Sequence, residues 1–119
     1  MVFARQKGRE LAAALGFGPT DLTLVATAIS GLTRNIVLYA KRGRIVLKSI
    51  ERDGTLGIMV VARDDGPGIP NVARALQSGF STSGGLGLGL PGVRRLTDEF
   101  DIVSEVGRGT TVTVKKWKR

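Results

Sequence analysis

The sequence predicts an α+β domain built as a two-layer α/β sandwich: a mixed, mostly antiparallel sheet with helices on one face. Three observations predict it. One long segment carries apolar residues at alternating spacings of three and four. Two β-rich runs flank an Asp53-Gly54 pair, the signature of a hairpin. The element order is helix, helix, strand, strand, helix, helix, strand, strand, with no internal repeat or linker. At 119 residues and 42% hydrophobic, the chain suits one core, so residues 1–119 are expected to form a single domain.

Residues 2 to 15 carry good helix formers, with Leu11, Ala12 and Leu15 on one face, and Gly16-Phe17-Gly18-Pro19 supplies the stop. Thr20 or Asp21 is expected to cap the second helix, whose apolar face is Leu22, Val25, Ile29, Leu32, Ile36 and Tyr39. Ile45 to Ile50 and Leu56 to Ala62 follow as strands of the central sheet. A Gly/Pro-rich loop runs from Asp64 to Pro70, then a short helix is predicted around Val72 to Gln77. After a glycine-rich stretch, a helix from about Leu90 to Asp98 precedes strands at Phe100 to Ser104 and Thr110 to Trp117.

Eighteen Lys and Arg against ten Asp and Glu give a net charge of +8, which favours an acidic partner, a polyphosphate or nucleic acid. The densest basic cluster, Lys115 to Arg119, sits at the chain end and is read as a solvated tail. With no cysteine and no histidine, disulfides, thiolate chemistry, Cys/His zinc sites and His-based triads are excluded. No apolar run is long enough to span a bilayer and no signal-peptide core stands at the N-terminus, so a cytoplasmic location without a membrane partner is expected. Aromatic content of 5% and the lack of a stacking or recognition-helix motif argue against nucleic acid.

The segment GFSTSGGLGLGLPG, residues 79–92, places five glycines between 84 and 92. Glycine is entropically costly, so such clustering fits a loop whose backbone must bend sharply or admit a ligand, usually an anion. Gly87-Leu-Gly-Leu-Pro-Gly92 matches the dinucleotide fingerprint literally, but polar Ser81-Thr82-Ser83 precede it where a buried strand is required. A Walker loop needs Gly-Lys-Ser/Thr and the ordinary protein-kinase signature needs His-Arg-Asp; both are absent.

Taken together, Asn35 in TAISGLTRNIVLYA, the Asp-x-Gly-x-Gly of DDGPGIP, the glycine-rich stretch and Gly107-Arg-Gly-Thr110 resemble the four boxes of the gyrase/Hsp90/histidine-kinase/MutL ATPase superfamily. Its short lid phrase, GFSTSGGLGLGLPGVRRLTDEF, most resembles the RsbT-type serine/threonine kinases of the bacterial stressosome, over nearly the whole chain. That resemblance implies the Bergerat-type ATP-binding fold, with ATP and Mg²⁺ as cofactors. It implies that Asp64 accepts a hydrogen bond from the adenine amino group, a role suited to an acceptor-only carboxylate. Gly66 and Gly68 then allow close approach of the base, and Thr110 supports the adenine site from the last strand. It also implies that Asn35 binds the metal through its amide oxygen, a hard ligand of the kind magnesium takes beside phosphates. Ser81, Thr82, Ser83, Gly84, Gly85, Leu86, Gly87, Leu88 and Gly89 form the lid over the phosphates, with the positive end of the following helix behind them.

Two departures stand out. In these kinases a glutamate four residues before the metal-binding asparagine is the general base, and here that position is Gly31. An introduced change, a natural loss of catalysis, and a close-packing requirement with another residue as base each account for it. The family also begins with an edge strand, whereas this chain starts almost inside its first helix, so that strand is expected to be missing.

The resemblance implies a kinase acting on a STAS-domain scaffold or antagonist protein in a partner-switching pathway, with transfer impaired by Gly31. A nucleotide-gated binding module that docks on STAS proteins or activates a PP2C-type phosphatase is the alternative, and an anti-sigma factor kinase is a close variant.

Overall fold

The computed structural model describes residues 2–40, 42–76 and 89–119. Helix α1, Val2–Ala14, ends as its glycine predicts. Gly16 takes φ +90°, its N–H donates to the Ala13 carbonyl, and the Phe17 N–H donates to that of Ala12. These two bonds form a Schellman cap that satisfies carbonyls the helix end would leave orphaned. Phe17, turned back by this cap, is buried with Ala12 in the core.

Helix α2, Pro19–Tyr39, starts earlier than its polar residues suggest. Gly18 is the N-cap and makes no side-chain capping bond, while Pro19 occupies the first turn. Thr20 and Asp21 therefore lie inside the helix and do not cap it. Proline explains the shift: its fixed φ and missing N–H suit the first helical position, so the residue read as a stop is also the next start. Val25, Ile29 and Leu32 are buried along the predicted face. Gly8 of α1 lets the two helices approach closely, since a Cβ there would meet the Ile29 side chain.

Strands β1, Gly43–Arg52, and β2, Thr55–Asp64, pair antiparallel from Arg52↔Thr55 to Gly43↔Asp64. Their two-residue turn has positive φ at both Asp53 (52°) and Gly54 (83°), the geometry that matches strand twist in tight hairpins. The short helix α3, Val72–Ala75, is capped by the Asn71 side chain, which accepts from the Arg74 N–H. Its expected last residue, Gln77, lies outside the described residues. Helix α4, Gly89–Leu96, leads into β3, Glu99–Glu105, and β4, Gly109–Trp117.

The strand order is β1-β2-β4-β3, and every pairing among the described residues is antiparallel. Alternation along each strand divides the sheet into two faces. Ile58, Val60 and Ala62 of β2 align with Lys116, Val114 and Val112 of β4 on the helix side, and Phe100 and Ile102 of β3 continue the rows. Helices α1 and α2 cover this face, and α4 packs on α2. Among the described residues Ile29, Leu32, Ile58 and Val93 are the largest fully buried side chains, each contributing about 1.5–3 kcal/mol by leaving water.

The basic C-terminal cluster is a correction to the sequence reading. Lys115, Lys116 and Trp117 belong to β4, and the Lys118 N–H donates to the Leu56 carbonyl. Lys116 is only 8% exposed, with its ammonium 3.9 Å from both Asp21 and Asp98. Asp98 also accepts from the Trp117 N–H at 2.7 Å and from Arg119. Burial of this cation beside two carboxylates joins the start of α2 to the α4–β3 junction.

Candidate nucleotide site

The opposite end of the sheet collects the polar residues. Asp64, the last residue of β2, aligns across the sheet with Thr110 of β4, which aligns in turn with Ser104 of β3. All three continue rows whose other members face the helices, so one cross-strand row carries a carboxylate and two hydroxyls on the helix side. Asp64 is half-buried and Thr110 is 8% exposed.

The Asp64 to Pro70 loop is held by bonds to three parts of the fold. The Gly66 N–H donates to Asp64 Oδ1 at 2.9 Å, closing a turn on the carboxylate itself. The Asp65 N–H donates to the Arg42 carbonyl, and the Pro67 carbonyl accepts from the Gly107 N–H at 2.9 Å. The Ile69 N–H donates to Ser104 Oγ at 2.7 Å. Gly68 takes φ +80°, and a Cβ there would run into the Glu105 carbonyl, so loop and β3–β4 turn pack backbone to backbone. Gly109, at φ +125°, packs in the same way against the Asp64 carbonyl. At both glycines backbone of a neighbouring segment takes the place of a side chain, which fixes the Asp64 to Pro70 loop against the β3–β4 turn.

Asp64 retains acceptor capacity, because one oxygen receives Gly66 and the carboxylate forms no ion pair among the described residues. Asn35 is half-buried late in α2, next to Ile36, whose side chain lies where a Cβ on Gly43 would be. Gly43 is the strand partner of Asp64, so the C-terminal part of α2 covers the same end of the sheet. Gly31, one helical turn before Asn35, is buried.

Asp64, Gly66, Gly68 and Thr110 are thus gathered at one place, with Asn35 over the same sheet end. Gly89 opens α4 with φ +61°. Ser81, Thr82, Ser83, Gly84, Gly85, Leu86, Gly87 and Leu88 lie outside the described residues. Ser104 was not singled out in the sequence. Its only signal is a hydroxyl at the strand position where Phe100 and Ile102 predict another apolar side chain.

The charged corner of Glu99 lies at the far end of the strands. Its carboxyl is held below the ordinary carboxylate range chiefly by the indole N–H of Trp117, then by the Arg52 guanidinium.

Residues 20–119 match the family described as "Histidine kinase-, DNA gyrase B-, and HSP90-like ATPase". The chain belongs to this ATPase family. The expected likeness to the RsbT-type kinases is borne out. The chain is 50% identical over 119 residues to the serine/threonine-protein kinase RsbT of Bacillus subtilis, covering all of this chain and 90% of that protein. It is 32% identical over 121 residues to the anti-sigma F factor of Geobacillus stearothermophilus, covering 96% of this chain and 82% of the relative. Among solved structures, the mycobacterial sensor histidine kinase MprB superposes with a TM-score of 0.61 at 21% identity, covering 82% of this chain and 72% of that one. That similarity extends to the fold of this ATPase family: an antiparallel sheet covered by helices. No helix among the described residues is long and apolar enough to cross a membrane.

Proposed function

We propose that the chain is an ATP- and Mg²⁺-dependent serine/threonine-protein kinase of the cytoplasm. Its substrate is a STAS-domain scaffold or antagonist protein in a stressosome-type partner-switching pathway, and its transfer step is weakened by Gly31. The observation that carries the reading is the pairing of Asp64 with Thr110 beside the Gly66–Gly68 turn, where the carboxylate accepts from only the Gly66 N–H among the described residues. Full-length 50% identity to a serine/threonine kinase supports the reaction class.

In this reading Asp64 accepts from the adenine amino group, Gly66 and Gly68 admit the base, and Thr110 borders it. Asn35 offers an amide oxygen to the metal. Water and phosphate oxygens would complete the shell of a magnesium ion held there. Residues 81–89 and the start of α4 are assigned to the phosphates. Bound Mg²⁺-ATP supplies the phosphoryl group and the charge neutralisation its transfer needs. Gly31 offers no proton acceptor, and removal of a general base costs about 10²–10⁴-fold in rate while binding contacts survive.

Radiolabelled phosphate transfer to a purified STAS-domain protein tests this, with ATP affinity measured in parallel with and without Mg²⁺. Both the chain with Gly31 and its Gly31→Glu variant are expected to bind ATP, with transfer about 10²–10⁴-fold faster in the variant. Equal, fast transfer by both removes Gly31 from the explanation.

The burial of Gly31 and its missing side chain favour one second reading: a nucleotide-gated module that docks on STAS proteins or activates a PP2C-type phosphatase. Similarity to the anti-sigma F factors extends that reading to an anti-sigma factor kinase. Each has a protein partner and none needs nucleic acid.

A further inference from the structure

All four helices send residues into one core, Ala12 from α1, Ile29 from α2, Ala75 from α3 and Val93 from α4, so among the described residues they lie on one side of the sheet. Strand alternation sends every second residue to the opposite face, which none of these helices covers. The middle of that face is apolar: Val46 of β1 pairs with Val61 of β2, and Met59 stands one row further along. Its two rims carry opposite charge. On the edge strand β1, Arg44 and Lys48 flank Val46. On the other edge strand, β3, Glu99, Asp101 and Glu105 share the face with Val103, which is 64% exposed. Arg44, Lys48 and Asp101 are exposed and form no ion pair among the described residues.

We propose that this face is the interface of a reversible dimer, and that its occupant is a second copy of the chain. A two-fold axis running along the strands between β2 and β4 lays β1 of each copy over β3 of the other. Such a rotation keeps height along the strands, so each residue meets the partner residue of its own cross-strand row. Val46 then faces the partner's Asp101. Arg44 falls between the partner's Asp101 and Glu105, and Lys48 lies beside its Asp101 and Glu99. Every such contact is made twice. A partner of one charge sign, such as a nucleic acid or an anionic membrane, would meet a repelling rim along with the attracting one, whereas a second copy matches both. Seven residues of β3 and four strands give a plane of roughly 450 Å² per copy, at about 3.3 Å per residue and 4.8 Å per strand. Standard stable interfaces bury about 800 Å² per partner, so the association is weak and leans on charge. The inference is independent of the nucleotide reading, because the row of Asp64 and Thr110 lies on the helix side and stays uncovered in the dimer.

Sedimentation velocity of the full chain over a concentration series tests this, at about 50 mM and about 0.5 M salt. One variant, Asp101→Arg, makes both rims basic; a second, Arg44→Glu with Lys48→Glu, makes both acidic. Wild type is expected to dimerise reversibly at low salt, with its dissociation constant at least about tenfold weaker at high salt. Each variant alone is expected to weaken self-association by about tenfold or more, and an equimolar mixture of the two to recover a dimer of one copy of each. That recovery also shows that both variants are folded. A wild-type chain that stays monomeric at low salt overturns the proposal, as does a dimer that both variants leave unchanged. If Asp101→Arg does not fold, a dimer unchanged in the double variant alone does the same. Variants that fold and lose self-association but stay monomeric when mixed contradict the β1-over-β3 arrangement and overturn it too.

Discussion

Gly68 cannot carry a side chain without displacing the β3–β4 turn, because a Cβ would meet the Glu105 carbonyl and the backbone sits at φ +80°. Gly68→Ala is expected to cost about 1–3 kcal/mol in urea unfolding and to weaken ATP binding as well, since the loop would have to leave β3. Stability lost with ATP affinity intact would show that the loop packs for structure alone. The Asp64-x-Gly-x-Gly pattern was legible in the sequence because glycine spacing advertises backbone that must come close to something. Ser104 was not legible: a serine in an alternating strand announces nothing until the register places it beside Thr110 and the Ile69 N–H. Gly31 lies between these cases. The sequence exposes the missing carboxylate, and the fold adds that the position is buried.

At the scale of elements, the far ends of β1, β3 and β4 are joined by one charged corner. Trp117 lies over Gly57, where a Cβ would meet its ring, and the Arg52 guanidinium stacks 4.5 Å from the ring centroid. Glu99 accepts from the indole N–H and from Arg52 at 2.8 Å. These partners favour the ionised carboxylate, so its folded-state pKa lies below the unfolded one. The contribution is complete above the unfolded value and is lost as pH falls through the folded value. Glu99→Gln is therefore expected to be less stable than wild type at pH 7, with the gap closing as the solution is acidified below the ordinary carboxylate range. Parallel denaturation curves at several pH values check this, and a gap independent of pH would contradict it. Local chemistry made several elements readable: Asp53-Gly54 set the hairpin and Gly16 ended α1. Long-range pairing hid others. Nothing near Lys116 in the sequence shows that Asp21 and Asp98 will accept it into the interior, and Pro19 reads as an end until the chain is seen to resume helix at once.

On the scale of the whole molecule, the sheet separates its two tasks by strand end. Around Trp117, Lys116 and Asp98, ion pairs fasten the sheet to the start of α2 and the α4–β3 junction. Around Asp64, Thr110 and Ser104, polar groups gather where loop bonds and close backbone packing fix the Asp64 to Pro70 loop. The order β1-β2-β4-β3 brings the end of β2 beside the start of β4, and with it Asp64 beside Thr110. Residues nearly fifty positions apart become neighbours only through that pairing, so the sequence showed the boxes but not their row. The most direct test of the account is an amide-resonance titration of the ¹⁵N-labelled chain with Mg²⁺-ATP. The account predicts shifts at Gly66, Gly68, Ile69 and Thr110, with Trp117 and Glu99 unmoved. Saturable binding that leaves those four amides in place and moves the Trp117 end instead would contradict it.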